Sequence, residues 1–435
     1  MIGEPSLGLA GVVVLLVLLL TGMPIGIALG ITGLGGLILT LGLEPALIKS
    51  GVLVFETMSR YELGTLPLFM LMAHLCFIAG ASGDFFGFAS RLFGHRRGGL
   101  AIASVAGCAG FGSINGSSLA TAATMGLVAV PEMRARGYSD ALATGTVAAG
   151  GTLGQMIPPS GALIVFGIIA EQSIGTLFTA AIVPGLTQML SYFLVVALIV
   201  GWRPELAPPT PRATWEERIG ALRRVADVGL LVLVVIGGIV FGWITASEAA
   251  AVGAAGALLI CSKRGKLDRA SLRRALEETL RTSGLIYLVV IGALIFAAFI
   301  AVTGLADAIG NLIVGLGLGP VATMALVAVF LLLIGSVLDG LALMLLTTPI
   351  LLPLVTGMGL SPIWFGIFLV RAMEIGFIHP PMGMNLYVIQ RVVPDVSLGR
   401  IFKGVLPFLT ADLVHLALLI VFPAIVLALP NWLGR

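Results

Sequence analysis

Apolar runs near the length of about 20 residues that crosses a bilayer recur along the whole chain. In the first half they fall near 4–22, 25–42, 62–82, 139–170 and 176–201. In the second half they fall near 226–244, 246–262, 283–303, 361–391 and 405–429. Between the third and fourth run of each set lies an extra segment, 99–130 and 320–357. Each holds two apolar stretches around a small or polar centre, FGSINGSS (Phe111–Ser118) and GSVLDG (Gly335–Gly340). The pattern predicts an all-α polytopic membrane protein with a re-entrant helical hairpin in each half.

An internal repeat relates the halves. Pro158-Pro159-Ser160-Gly161 matches Pro380-Pro381-Met382-Gly383 at an offset of 222 positions. The same offset relates Pro131 to Pro353, Ser139 to Ser361, Gly154 to Gly376 and Ala28 to Ala250. The expected organisation is a first repeat over 1–202, with hairpin 99–130 and broken helix 139–170. A polar, proline-rich linker follows over 203–225. The second repeat covers 226–435, with hairpin 320–357 and broken helix 361–391.

If each hairpin leaves on the side it entered, each repeat crosses five times and the second is inverted. Charge then sorts cleanly: 20 of the 24 Lys and Arg collect on one face, in groups around Arg91–Arg136, Arg203–Arg224, Lys263–Arg281 and Arg391–Lys403. None lies between Arg281 and Arg371. The positive-inside rule makes the basic face cytoplasmic and puts both termini on the outer, periplasmic side. Lys266–Arg281 alternates charge with Leu and Ala at helical spacing, which predicts an amphipathic helix lying flat on the membrane.

Composition agrees with lipid as the solvent. The 435 residues are 58% hydrophobic and 10% charged, with a mean hydropathy of +1.12, whereas soluble domains carry about 25% charged residues. A net charge of +3 gives no nucleic-acid footprint. Cys76, Cys108 and Cys261 lie far apart, without metal-ligand spacing. Met1–Ser6 holds no Lys or Arg, so Leu7–Leu20 reads as a retained span and not as a signal peptide. A P-loop, a nucleophile elbow and an HExxH motif are all absent from the sequence. The chain therefore reads as no enzyme and no ATPase, and transport must draw on a gradient or a partner.

The candidate chemistry lies in the breaks and the hairpin tips. Proline lacks an amide donor and displaces the preceding turn, freeing carbonyls. Such carbonyls can coordinate a dehydrated cation, while half-helix amino ends attract a carboxylate. This arrangement is offered twice, at Gly154–Gly161 and Gly376–Gly383. Ser113, Asn115, Ser117 and Ser118 add hydroxyl and amide groups at the first tip, and Ser336 and Asp339 at the second. Asp339 is the sole acidic residue from Ala308 to Ile363, so it reads either as a functional membrane carboxylate or as a helix cap. Arg371 and Glu374, three apart, are expected to neutralise each other. Asp412 and His415, at the same spacing, are expected to be structural or interfacial. His379, just before Pro380, reads either as a substrate contact or as a satisfied buried histidine.

The strings GSINGSSLATAATMG (112–126), GGTLGQMIPPSG (150–161) and MEIGFIHPPMGMNLYVI (373–389) resemble the large membrane subunit of tripartite ATP-independent periplasmic (TRAP) transporters. The resemblance covers nearly the whole chain. It implies an elevator-type carrier of the bacterial inner membrane, driven by sodium and importing a small organic acid such as a C4-dicarboxylate. Its implied partners are a small four-helix membrane subunit and a soluble periplasmic binding protein. A stand-alone sodium/carboxylate symporter of the same fold is the alternative.

Carried onto this sequence, one sodium site would involve Ser113 and Asn115 with the backbone of Gly154, Ile157 and Pro159. A second would involve Gly335 with Gly376, His379 and Met382. Substrate would lie near Ser117, Ser118, Ser336 and Asp339. In one departure from the family pattern, His379 stands where threonine is frequent; a backbone-carbonyl contact survives that change.

Overall fold

The computed structural model describes residues 4–336 and 338–434. Position 337, inside the expected hairpin 320–357, lies outside the described residues, as do the first three positions and the last. The described residues form helices and no strand. The first half contains α1 (Pro5–Leu20), α2 (Ile25–Leu41), α3 (Leu43–Met58), α4 (Thr65–Ala79) and α5 (Ala81–Phe93). There follow the hairpin α6 (Gly99–Asn115) and α7 (Ser118–Ala135), the pair α8 (Asp140–Met156) and α9 (Gly161–Ile169), and the long α10 (Ile174–Trp202).

The second half contains α11 (Trp215–Val240), α12 (Ala246–Lys263), α13 (Arg269–Thr303) and α14 (Leu305–Gly315). Then come the hairpin α15 (Pro320–Gly335) and α16 (Gly340–Gly357), the pair α17 (Pro362–Gly376) and α18 (Met384–Val392), α19 (Leu398–Val421) and α20 (Ala424–Trp432). Six helices are individually long and apolar enough to cross a membrane among the described residues, and a seventh span results if α8 and α9, bent by 40°, count as one. The apolar α1, α2, α6 and α15 are shorter.

Local chemistry explains the boundaries. Thr214 and Thr245 open α11 and α12 with capping boxes, each exchanging hydrogen bonds with a glutamate three residues on. Ser139, Ser160, Ser173, Asp268 and Ser361 cap α8, α9, α10, α13 and α17 through their side-chain oxygens.

Four expectations change. Lys266–Arg281 does not form a separate flat helix. From Arg269 it is the beginning of the continuous 35-residue α13, because no proline or capping residue interrupts the ladder before Thr303. The linker expected over 203–225 is already helical from Trp215, where Thr214 supplies the cap. The single span expected over 405–429 divides between α19 and α20 at Phe422-Pro423, where proline cannot continue the ladder. Helices α3, α5 and α14 were not anticipated. Glu44, Lys49 and Glu56 in α3, and Asp84 and Arg91 in α5, dilute the apolar signal.

The basic groups gather at one end of the molecule. The linker binds both sides of the first hairpin's base: the Gly98 N–H donates to the Ala207 carbonyl at 3.1 Å, and the Ser139 N–H to the Leu206 carbonyl at 3.0 Å. The first hairpin therefore returns to the end it entered, and the Leu100 N–H donating to the Tyr138 hydroxyl at 3.1 Å seals it. Arg264 ties four helices together there. It reaches Asp84 on α5 and Asp227 on α11, each at 2.6 Å, and donates to the last carbonyl of α4, Ala79, at 3.0 Å. Arg134 joins Asp140 at 3.0 Å and Asp395 at 2.5 Å. Its guanidinium, hydrogen-bonded to Asp395, holds that carboxyl below the usual carboxylate range.

Outward faces carry exposed Leu20, Leu39, Leu230 and Leu259, as a lipid-facing surface requires. The interior closes through small residues. At the α8–α19 crossing, a Cβ on Gly145 would strike the Gly404 backbone, and one on Gly404 would strike the Ala141 carbonyl oxygen. Replacing Gly404 by valine should therefore cost about 3 kcal/mol or more by forcing these backbones apart. Yield and thermal unfolding of the purified protein in detergent measure this, and an unchanged melting temperature would contradict the packing.

Candidate functional site

Two breaks interrupt buried helices, at 157–160 between α8 and α9 and at 377–383 between α17 and α18. Both double prolines contain a cis peptide bond, Pro158–Pro159 and Pro380–Pro381. Beyond Ile157 the prolines of the first break return no helical amide to the last carbonyls of α8, whereas on α17 the Phe377 and Ile378 N–H groups still close onto the Met373, Glu374 and Ile375 carbonyls.

The first hairpin tip sits directly on the first break. α6 ends at Asn115, and Gly116 turns the chain in a left-handed conformation (φ 64°) that favours glycine. Ser117 then caps α7 by accepting the Ala120 N–H at 3.4 Å. The Gly161 N–H reaches the Gly116 carbonyl at 3.4 Å. A Cβ on Gly116 would lie 2.7 Å from the Pro159 carbonyl oxygen, and one on Gly112 would run into Gly154. Gly154 in turn makes room for Thr121: a methyl there would come 2.5 Å from its Oγ1.

Acceptor oxygens collect at this junction. The Ser113 hydroxyl donates to the Gly110 carbonyl at 2.7 Å, leaving its lone pairs available. Thr121 Oγ1, set against Gly154, is buried without a hydrogen-bond partner among the described residues. Asn115 is half-buried at the tip. Oxygens with no donor facing them suit a dehydrated monovalent cation. Thr121 was not singled out in the sequence, although it lies in one of the three strings that carry the family resemblance.

The second hairpin repeats these parts. The Ser336 hydroxyl donates to the Leu333 carbonyl at 2.7 Å, as Ser113 does to Gly110. Asp339 caps α16, its carboxylate accepting the Leu341 N–H at 3.1 Å; of its two readings, the cap is the one the geometry displays. Ser117 and Asp339, both caps, stand at the offset that relates the proline pairs. A Cβ on Gly376 would lie 2.7 Å from the Gly335 carbonyl oxygen. Between tip and break lies a cavity of about 240 Å³, walled by Gly335, Ser336, Gly376, Met382 and Tyr387 among others. Asp339 and His379 are not among its walls. The half-buried His379 holds a ring nitrogen, Nδ1, that has no hydrogen-bond partner among the described residues.

The two halves interlock through a residue that the sequence reading passed over. Asn385 on α18 donates from Nδ2 to Ser118 Oγ and to the Ala148 carbonyl, each at 2.9 Å, binding the first hairpin and α8. Its own N–H donates to the Phe377 carbonyl at 3.0 Å across the second break. Ser118, expected beside substrate, is therefore buried and engaged with Asn385. Helix α7 packs on α18 and α16 on α9, so each hairpin's returning arm meets the other half's broken helix. The one signal for Asn385 was a primary amide inside an apolar span.

Comparison with known proteins identifies this architecture. The family described as "Tripartite ATP-independent periplasmic transporter, DctM component" matches residues 12–425. The chain belongs to this family. It is 35% identical to a C4-dicarboxylate TRAP transporter large permease protein of Pseudomonas aeruginosa, over 92% of this chain and 94% of that one. It is 32% identical to a sialic acid TRAP transporter large permease protein of Vibrio cholerae, over 95% of this chain and 96% of that one. In fold it is similar to the crystal structure of the Alcanivorax borkumensis YdaH transporter, with a TM-score of 0.64 at 16% identity, covering 87% of this chain and 89% of that one.

As a TRAP-transporter membrane component the chain is a multi-pass inner-membrane transport protein and not an enzyme. Its membrane interior holds one charged cluster that a soluble core would rarely tolerate. Arg371 reaches Glu374 at 2.9 Å, as their spacing predicts, and also pairs with Asp412; all three are fully buried. Asp412 is thus interior, not interfacial, and His415 turns instead to Thr187 Oγ1 at 2.9 Å. For the interlock, Asn385→Ala should cost about 1–3 kcal/mol by stranding the buried Ser118 Oγ and opening a void between α7, α8 and α18. Thermal unfolding tests this, and a loss below a few tenths of a kcal/mol would contradict the role assigned to Asn385.

Proposed function

We propose that this chain is the large permease subunit of a sodium-driven TRAP transporter importing a small organic acid. In this reading a soluble periplasmic binding protein delivers the solute, and a small membrane subunit completes the carrier. The observation that carries the proposal is the seating of each hairpin tip on a broken helix, with the unpartnered Thr121 hydroxyl beside the first. The names of the relatives, a C4-dicarboxylate and a sialic acid permease, support an organic acid as cargo.

One sodium ion would be held by Ser113 and Asn115 with the carbonyls of Gly154, Ile157 and Pro159, and Thr121 Oγ1 is available as a further oxygen. A second would be held around Gly335 and Gly376, with His379 and Met382 contributing through backbone. The solute carboxylate would lie near Ser117, Ser336 and Asp339, drawn by the amino end of α7. Two neighbouring cations also offset the negative charge that Asp339 would otherwise direct at the anion. The halves would form inverted repeats, the basic end facing the cytoplasm and both termini the periplasm. The hairpins and broken helices would move together as an elevator.

In proteoliposomes containing the complete carrier, replacing sodium by potassium at constant membrane potential should abolish uptake; undiminished uptake would refute the sodium reading. Uptake should also require the binding protein, and transport by this chain alone would instead support the stand-alone symporter. Gly154→Ala should weaken apparent sodium affinity about tenfold or more, about 1.4 kcal/mol, because the methyl pushes Thr121 and the tip off the break. An unchanged sodium titration would argue against a site there.

A further inference from the structure

Thr152 and Glu374 stand two positions before Gly154 and Gly376, in equivalent places on the two broken helices. We propose that the buried string joining them through Tyr192, Asp412 and Arg371 makes sodium binding at one break depend on binding at the other. Tyr192 and Asp412 are then positioning residues for ion coupling. The inference rests on the sodium reading above.

The string is continuous. On α8, Thr152 Oγ1 lies 3.0 Å from the Tyr192 hydroxyl of α10. Tyr192 donates to Asp412 of α19 at 2.9 Å. Asp412 pairs with Arg371, and Arg371 meets Glu374 on α17 at 2.9 Å. Gln188 braces the first link, donating from Nε2 to Thr152 at 3.1 Å and to Tyr192 at 3.2 Å. Thr152, Gln188, Tyr192, Arg371, Glu374 and Asp412 are all fully buried.

Two features make this more than an anchor. Tyr192 gives its one proton to Asp412, so the Thr152 hydroxyl has two acceptors to choose between, the Tyr192 oxygen and the Ala149 carbonyl at 2.7 Å. A hydroxyl with two discrete partners, two residues from a proposed sodium ligand, is the kind of two-position element through which sites couple. At the far end one cation faces two carboxylates away from water. Any movement of α17 against α19 separates opposite charges where separation is costly. A purely structural anchor gains nothing from such charges, since apolar packing stabilises as well or better.

The test is the steepness of the sodium dependence of uptake in the reconstituted complete carrier. Wild type should give a Hill coefficient near two, and Tyr192→Phe a clearly lower one, the coupling lost being worth about 5–150-fold in affinity. Thr152→Val should flatten the curve in the same way from the other end, and it carries the test if Tyr192→Phe fails to fold. A merely structural role would lower the amount of folded carrier and leave the steepness unchanged. Sodium-induced thermal stabilisation of the purified protein provides a second titration that does not depend on transport. A non-cooperative wild type, or variants as steep as wild type, would overturn the coupling and leave the sodium reading intact. Sodium-independent uptake by wild type would instead overturn that reading first.

Discussion

A backbone group that has lost its helical partner inside a bilayer must be enclosed by protein, and this requirement organises the molecule. The hydrocarbon offers no hydrogen bond to a free carbonyl, yet two helices are interrupted by double prolines. Each interruption is covered by a hairpin that turns back at that depth. The close fit of Gly112 on Gly154 and of Gly335 on Gly376 lets backbone meet backbone without a side chain between them. Asn385 then closes the arrangement by holding hairpin, broken helix and second break with one side chain.

Much of this was legible in the sequence because lipid imposes simple rules. Runs of apolar residues marked α1, α2, α4, α10 and α12 nearly to their ends, and the repeated Pro-Pro pairs marked both breaks. Ser113, Gly335 and Ser336 were placed at the hairpin tips because small and hydroxyl residues between apolar stretches indicate close approach, and the repeat placed Gly376 at its break.

What escaped had a physical reason. Helices α3 and α5 carry charges that interrupt the hydropathy signal. The first part of α13 has an amphipathic pattern that suits a surface helix as well as a projecting one. Asp339 caps its helix, a role that the sequence left undecided. The partners of Asp412 lie far away in the chain, at Tyr192 and Arg371, so its near neighbour in sequence, His415, was misleading.

The continuous α13 has a mechanical consequence. Its 35 residues extend about 52 Å at the rise of an α-helix, against a hydrocarbon thickness of about 30 Å. The arginines of its first turns cannot enter that layer, so the excess must project on the basic side. A rod pinned at one depth by its own charges serves as a keel, resisting displacement of that helix along the membrane normal.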